Sequence, residues 1–375
     1  MAERCHVCGK GKLAMLPEFA ALKRVTSDCK PWPAGGKLGV CDTCSTAQNI
    51  VDDTWREECR QIYSSYTIYH QAAGIEQPVF DLSSGTSSAR SDRFLLNLGQ
   101  EVSLSERGRL LDIGCGNGGF LRSFAKNYPQ WRLTGSEYDA KYKAEVESIP
   151  GVEACIVGDI AAIPDRFDII SLIHVLEHLE SPHDVLQGVW DKLLEHGHLI
   201  VELPYYVENP FVLAVADHAT HFDATTACSL LMTAGFSPTH VTSGWVPKEL
   251  SLVADKTQPA TARNDIPAGN PVASVRWLGS VRDHAAEIAS HSKHFGILGT
   301  SIAATWLYAE LAGKVQFFVD EDATRIGKTM FGIPVLAPAE VPGDGDVYIS
   351  LPLRLAKNVA NRMQGRAGQY HVPHP

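Results

Sequence analysis

The sequence predicts an α/β chain in three parts, with a doubly wound parallel sheet at its centre. Residues 61–255 alternate short apolar runs with helical patterns, which is typical of parallel strands connected by helices. Residues 1–60 contain two C-x2-C pairs, and residues 272–375 contain a second strand–glycine–helix unit. We therefore expect a small metal-binding domain, a central α/β domain and a C-terminal α/β domain, in that order.

Composition narrows the possible functions. A length of 375 residues suits two or three domains, and a hydrophobic content of 45% is enough to bury their cores. The net charge is −10, and no run of lysine and arginine indicates a nucleic-acid partner. Since the sequence shows neither a secretory leader nor a run of about 18 apolar residues, we expect a cytoplasmic protein without a membrane partner.

The two cysteine pairs have the spacing of zinc ligands. In a reducing compartment, cysteines serve as thiols or metal ligands rather than as disulfides. Two C-x2-C knuckles together supply four thiolates, which leave no open position on a tetrahedral Zn²⁺. We therefore predict a structural zinc ion, with Cys29 and His6 as possible substitute ligands and a redox role as the weaker alternative. The predicted ligands are Cys5, Cys8, Cys41 and Cys44.

A glycine-rich turn follows the first strand of the central domain, in the stretch "RLLDIGCGNGGF". Gly114, Gly116 and Gly118 allow a tight turn and a close approach of a ligand to the backbone, and the helix that begins near Gly119 points its N–H groups at that ligand. Such a loop alone is compatible with several nucleotides. Asp112, two residues before the first of these glycines, favours a ligand with a cationic amino acid group over a pyrophosphate.

Further polar residues end the next three predicted strands. Glu137 ends "WRLTGSEYD", where a carboxylate can accept hydrogen bonds from both hydroxyls of a ribose. Asp159 ends "EACIVGDI", where a side chain can reach an adenine amine. The strand in "FDIISLIHVLEHL" leads into His174 and His178, and we interpret His174 as part of the wall of the cofactor pocket.

These stretches resemble the class I S-adenosylmethionine-dependent methyltransferases, with "LLDIGCGNGGF", "GSEYD", "GDI" and "FDIISLIHVLEHL" as the matching residues. The resemblance implies a Rossmann-like core that binds S-adenosyl-L-methionine. It places Asp112 near the methionine amino group, Glu137 on the ribose and Asp159 beside the adenine. The alternative is a nucleotide-binding fold with a different ligand.

The C-terminal part looks like half of a Rossmann fold, with a strand, a turn at Gly299, a helix and a second strand that ends in Asp320. Zinc knuckles, methyltransferase core and this tail, in this order, resemble the family of nucleotide-linked ketodeoxysugar C-methyltransferases. That resemblance implies a small-molecule acceptor, a nucleotide-linked sugar, which the tail helps to enclose. The alternative is a tail that serves only packing or dimer formation.

The segment "VADHATHFD" carries the candidate catalytic residues. By position, Asp217 and His218 match the family's acid–histidine pair, and His178 matches its other active-site histidine. The resemblance implies that His218 removes a proton beside a ketone while the adjacent carboxylate fixes its tautomer. His178 or a tyrosine would then donate to the oxyanion. The candidate tyrosines are Tyr63, Tyr66 and Tyr69.

The same segment leaves alternatives open. Val215 and Ala216 stand where family members commonly carry a tyrosine and a histidine, so O- or N-methylation of another small metabolite remains an alternative, as does a non-catalytic binding module. A metal site formed by His218 and His221 with a nearby aspartate is a further alternative, although two histidines alone are a poor site. We interpret His221 as a helix-start or packing residue, and His178 has an alternative role as a helix cap.

Overall fold

The N-terminal section consists of short strands followed by one helix. The computed structural model describes residues 4–66, 78–80, 87–256 and 266–375. Asp52 caps the helix by accepting the backbone N–H of Trp55, and Trp55, Cys59 and Ile62 are buried along one face. The predicted border at residue 60 falls within this helix. The elements of this section are β1 (Leu13–Met15), β2 (Arg24–Val25), β3 (Pro31–Trp32), β4 (Leu38–Cys41), β5 (Ala47–Asn49) and α1 (Asp53–Ser64).

The central section alternates strands and helices, as predicted. Its elements are β6 (Pro78–Phe80), β7 (Ser87–Ala89), α2 (Arg90–Glu101), β8 (Arg109–Ile113), α3 (Gly119–Asn127), β9 (Arg132–Glu137), α4 (Lys143–Glu147), β10 (Val152–Val157), β11 (Phe167–Ile173), α5 (Pro182–Lys192), β12 (Leu193–Pro204), β13 (Thr220–His221), α6 (Ala224–Thr233), β14 (Ser237–Thr242) and β15 (Glu249–Asp255). The predicted strands that end at Glu137 and near Asp159 and His174 are β9, β10 and β11.

The main sheet has the order β10-β9-β8-β11-β12-β15-β14. The five neighbouring strands β10, β9, β8, β11 and β12 are parallel to one another. Strand β15 lies between β12 and β14 and is antiparallel to both. Leu110, Leu111, Ile169 and Ile170 are fully buried, as expected for strands covered on both faces. Strand order reverses beside β8, and ligands of doubly wound sheets bind at the carboxyl ends of the strands at this point.

The C-terminal section forms a second, mostly parallel sheet with the order β18-β19-β17-β16-β20-β21. The helix predicted over residues 272–292 is confirmed as α7, and Gly299 has a left-handed φ of 98° in the predicted turn. The elements are α7 (Pro271–His291), β16 (His294–Leu298), α8 (Ile302–Glu310), β17 (Phe317–Val319), β18 (Thr329–Met330), β19 (Ile333–Leu336), β20 (Gly345–Ile349), α9 (Leu353–Met363) and β21 (Gln369–His371).

The three sections share contacts. One hydrophobic core contains Phe19 from the first section, Phe211 from the second and Trp306 from the third. Trp306 also donates a 2.9 Å hydrogen bond to the carbonyl of Lys23. Strand β13 pairs with β5 and so extends the N-terminal sheet with a segment of the central section. Among the described helices, none combines the length and apolar composition that a membrane crossing requires.

Candidate functional site

The four cysteines of the two C-x2-C pairs meet at one point. Their sulfur atoms all lie within 4.8 Å of one another, with 3.4 Å between Cys5 and Cys44 and 3.7 Å between Cys8 and Cys41. Four sulfur ligands at about 2.3 Å from a tetrahedral Zn²⁺ would be about 3.8 Å apart. A Cβ on Gly11 would lie 2.0 Å from Cys41 Sγ, so the backbone approaches the cluster as closely as glycine allows. The cluster has the ligand type, number and spacing of a closed zinc site.

The glycine loop forms a tight turn at the carboxyl end of β8. Gly114, Gly116 and Gly118 have left-handed φ values of 68°, 56° and 82°. A Cβ on Gly114 would lie 2.6 Å from a methyl group of Val175, and a Cβ on Gly118 would lie 2.4 Å from Ile149. A larger residue would therefore disturb both the turn and its packing. Helix α3 begins directly after the loop, as predicted.

The three acids predicted to bind the cofactor lie at the ends of adjacent strands β8, β9 and β10. Asp112 is 1% exposed and accepts a 2.8 Å hydrogen bond from Ser171. Burial, with the nearby charge of Glu137, raises the pKa of Asp112 to about 7. Glu137 accepts a 2.7 Å bond from the N–H of Gly116, and Asp159 is exposed and caps the turn after β10.

His174 lies among carboxylates where β11, β12 and β15 meet. Its Nδ1 is 3.4 Å from Glu177 Oε1, and its Nε2 is 3.4 Å from Glu202 Oε1 and 3.5 Å from Glu249 Oε2. Burial and Arg90 lower the pKa of His174, but the three carboxylates outweigh them and raise it to about 9. His174 is therefore cationic at neutral pH, which suits a charge-balancing wall residue better than a base.

Asp217 is bound by a serine that the sequence did not single out. Its Oδ1 accepts a 2.8 Å bond from the backbone N–H of Ser27, and its Oδ2 accepts a 2.5 Å bond from Ser27 Oγ. The hydroxyl of Tyr66 lies 3.2 Å from the same Oγ. The expected pairing of Asp217 with the ring of His218 is not formed, because its carboxylate faces Ser27 and, at 3.6 Å, the Nδ1 of His178.

The hydrogen bonds of its Nδ1 atom define the tautomer of His178. Its Nδ1 lies 3.0 Å from the backbone carbonyl of Asp217 and 3.1 Å from the hydroxyl of Tyr63. A carbonyl only accepts, so Nδ1 carries the proton and Nε2 of the neutral ring keeps its lone pair. Neutral His178 therefore presents an acceptor at Nε2 rather than the donor expected for an oxyanion. Among the described candidates, Tyr63 is the tyrosine that bonds His178, and Tyr69 lies outside the described residues.

His218 is buried beside His178, with ring centroids 4.7 Å apart and ring planes at 90°. Burial and the neighbouring histidines lower the pKa of His218 well below 6.5, so its ring is neutral near pH 7 and keeps a lone pair, and the same lowering makes the ring a weaker base. His221 is buried in β13, as expected for a packing residue, and both of its ring nitrogens lack hydrogen-bond partners among the described residues. The helix-start role belongs instead to Asp223, which caps α6.

The C-terminal sheet carries a smaller polar cluster at the ends of β16 and β17. Thr300 Oγ1 donates a 2.8 Å hydrogen bond to Asp320 Oδ2, and Arg325 lies 3.4 Å from the same carboxylate. The group of ligand atoms that lie within 4.8 Å of one another contains the four predicted cysteines and includes neither Cys29 nor His6, whose ring bonds Thr220.

Comparisons with known proteins concern mainly the central section. Residues 88–241 match a family model described as a methyltransferase domain. The mitochondrial ubiquinone biosynthesis O-methyltransferase of Schizosaccharomyces pombe is 27% identical over 122 residues, which cover 31% of this chain and 44% of that protein. The trans-aconitate 2-methyltransferase of Deinococcus radiodurans is 28% identical over 115 residues, which cover 30% and 41%. The chain therefore spans less than half the length of these relatives.

Among solved structures, an S-adenosylmethionine-dependent methyltransferase from Clostridium acetobutylicum aligns with a TM-score of 0.40 at 13% identity. The alignment covers 52% of this chain and 98% of that one.

Proposed function

We propose that this protein, whose residues 88–241 match a methyltransferase-domain family model, is a class I methyltransferase that transfers a methyl group from S-adenosylmethionine to a small-molecule acceptor. The observation that carries the proposal is the glycine loop of this domain. It places a left-handed turn beside Asp112 and Glu137 at the switch point of the sheet. Buried Asp112 suits the ammonium of the methionine group, Glu137 the ribose hydroxyls and Asp159 the adenine.

For the acceptor, we propose a nucleotide-linked ketosugar that is methylated on the carbon beside the ketone. His218 would take the proton from that carbon, and the carbon of the resulting enolate would form a bond to the methyl group. The bond between methyl and sulfur breaks in the same step, which releases S-adenosylhomocysteine. The buried, neutral ring of His218 and the hydroxyl of Tyr63 near His178 support this assignment. The C-terminal section would help to enclose the nucleotide.

Methylation of oxygen or nitrogen is the second candidate. Val215 and Ala216 replace the tyrosine and histidine of the ketosugar family, and one curated relative is named as an O-methyltransferase. On an oxygen or nitrogen nucleophile, the site would act mainly by holding the acceptor in line with the methyl group. His218 would then remove the proton of a hydroxyl or an amine.

We also propose that the four-cysteine cluster holds a structural Zn²⁺. The sulfur–sulfur distances of 3.4 and 3.7 Å support this assignment, as do the N–H groups of Gly11 and Thr43, each 3.4 Å from a cluster sulfur. Four thiolate ligands leave no position for a substrate. The zinc would therefore stabilise the N-terminal section and take no part in methyl transfer.

Hydrogen–deuterium exchange beside the ketone distinguishes the two acceptor classes. A nucleotide-linked ketodeoxysugar is incubated with the protein and S-adenosylhomocysteine in D₂O, and deuterium uptake is followed by NMR. We expect the wild type to catalyse exchange and His218→Ala to lose it by at least about a hundredfold, the usual contribution of a general base. If no exchange occurs while another acceptor is methylated, the carbon-methylation proposal is wrong and the second candidate takes its place.

A further inference from the structure

Three side chains converge beside the proposed acceptor site from two distant parts of the chain. Glu177 and His178 lie in the turn after β11, and His218 lies just before β13. One carboxylate oxygen and one ring nitrogen from each histidine all lie within 4.8 Å of one another. Two of these residues belong to the proposed methyl-transfer site, but that proposal gives Glu177 no role.

Glu177 is buried without adequate partners. The residue is 1% exposed, and neither of its carboxylate oxygens has a hydrogen-bond donor among the described residues. The Nδ1 of His174 is 3.4 Å from Oε1, which leaves Oε2 without a counter-charge of its own. A buried carboxylate is unfavourable unless a cation or hydrogen-bond donors compensate for its lost hydration. One of the carboxylate oxygens of Glu177 lies within 4.8 Å of a ring nitrogen of each histidine.

Hydrogen bonds hold both histidines in positions that suit metal ligands. The backbone carbonyl of Asp217 accepts the Nδ1 proton of His178, which leaves the lone pair of Nε2 available. Metal-binding histidines commonly donate their second ring N–H to a carbonyl or carboxylate in this way. His218 is fixed from its backbone side, because Asn49 Nδ2 donates a 2.7 Å bond to its carbonyl.

We propose that Glu177, His178 and His218 bind a divalent transition-metal ion, and that its remaining coordination positions face the acceptor. Two imidazoles and one carboxylate suit ions such as Mn²⁺, Fe²⁺, Co²⁺ or Zn²⁺ and leave open positions for oxygen ligands. Ligand atoms around such an ion are about 3 Å apart, so binding draws the three side chains inward. The acceptor would then coordinate through an oxygen, a consequence that rests on the proposed function. An ion bound to His218 occupies the lone pair of its ring, so His218 removes the acceptor proton only in the metal-free protein.

Manganese binding by the zinc-loaded protein tests this site directly. Mn²⁺ is the weakest competitor for a four-thiolate zinc site, so MnCl₂ is titrated into the full chain and free Mn²⁺ is followed by electron paramagnetic resonance. We expect one Mn²⁺ per chain and at least tenfold weaker binding in Glu177→Gln and in His178→Asn. Glu180→Gln is the matched control, because Glu180 is exposed in the same segment and pairs with Arg56. It should bind like the wild type.

The inference is overturned if the wild type takes up no Mn²⁺, or if Glu177→Gln and His178→Asn both bind it as tightly as Glu180→Gln does. Calorimetric binding of S-adenosylhomocysteine by each variant shows that the central section is folded. It also separates the two proposals. Retained metal binding without affinity for S-adenosylhomocysteine would contradict the proposed function alone, and the reverse pattern would contradict the metal site alone.

Discussion

Asp112 shows how one buried side chain sets the conditions for cofactor binding. A carboxyl that is 1% exposed is poorly hydrated, which raises its pKa to about 7. It therefore carries its charge only at and above neutral pH. An ammonium group of a ligand is attracted to the ionised form and gains little from the protonated one. In the free protein, raising the pH from about 4 to about 7 lowers stability, because the unfolded chain, in which Asp112 has a pKa of about 3.9, releases the proton that the folded state retains.

We expect affinity for S-adenosylhomocysteine to rise about five- to tenfold between pH 6 and pH 7.5, as the ionised fraction of Asp112 rises. Isothermal titration calorimetry at the two pH values measures this change. Asp112→Asn carries no titrating charge and should bind weakly with a nearly flat pH profile. The same pH dependence in Asp112→Asn would show that another group is responsible.

Ser27 orders the candidate catalytic residues through the carboxylate of Asp217. We expect Ser27→Ala to lower kcat about tenfold or more, because a hydrogen bond to a charged group contributes about 1.5–3 kcal/mol, while KM changes less. Steady-state kinetics of methyl transfer provide the measurement. Ser64→Ala is the control, since this exposed hydroxyl donates to the carbonyl of Gln61 and, among the described residues, has no contact with the candidate site. Equal kcat values for both variants would exclude a positioning role for Ser27.

At the scale of elements, the sequence predicts what lies within one strand–turn–helix unit. The glycine loop, the start of α3 and the acids that end neighbouring strands follow from local spacing, because parallel strands end at one edge of the sheet. Contacts between distant segments do not follow from spacing. Ser27 reaches Asp217 from 190 residues away, and nothing in its local sequence marks it.

Sequence adjacency also gave a wrong expectation for Asp217 and His218. Neighbouring side chains leave the backbone in different directions, so Asp217 faces Ser27 whereas His218 faces His178. The turn after β11 brings Glu177 to the same place. The stretch "LEHL" in this turn shows which residue types are present. The burial of Glu177 and the missing hydrogen-bond partners of its carboxylate are visible only in the structure.

The pairing of β5 with β13 connects the cysteine cluster to the candidate base. Asn49 donates a hydrogen bond to the carbonyl of His218, and Trp55 Nε1 donates one to the carbonyl of Ala216 at 2.9 Å.

We expect Cys44→Ser to lose zinc and to lower both the melting temperature and kcat. Metal analysis, thermal unfolding and methyl-transfer assays check the three effects. Cys228→Ser, at a half-buried cysteine in α6, should retain zinc. Full activity in a zinc-free Cys44→Ser protein would contradict this coupling.

At the scale of the whole molecule, the three sections depend on one another for stability. The shared core places Trp306 of the C-terminal section against Phe211 of the central one, with ring centroids 5.5 Å apart. The indole N–H of Trp306 reaches the N-terminal section at Lys23. Burial of aromatic surface between sections stabilises all of them together. We therefore expect the three sections to unfold together in a single transition, and we do not expect the central section to stay folded by itself.

Trp306→Ala should destabilise the protein by about 3–5 kcal/mol, the usual effect of removing a large buried aromatic side chain. Urea unfolding followed by circular dichroism measures the free energy of unfolding. Met232→Ala is the control, because Met232 is 56% exposed and its change should cost less than about 0.5 kcal/mol. Two separate transitions in the wild type would contradict the shared core.

Calorimetric titration of the zinc-loaded protein with S-adenosylhomocysteine measures whether the glycine loop, Asp112 and Glu137 form a pocket for the adenosyl cofactor. We expect one molecule bound per chain, with binding lost in Asp112→Ala while the variant still unfolds cooperatively. Absence of binding by the folded wild-type protein, for both S-adenosylhomocysteine and S-adenosylmethionine, would contradict the account.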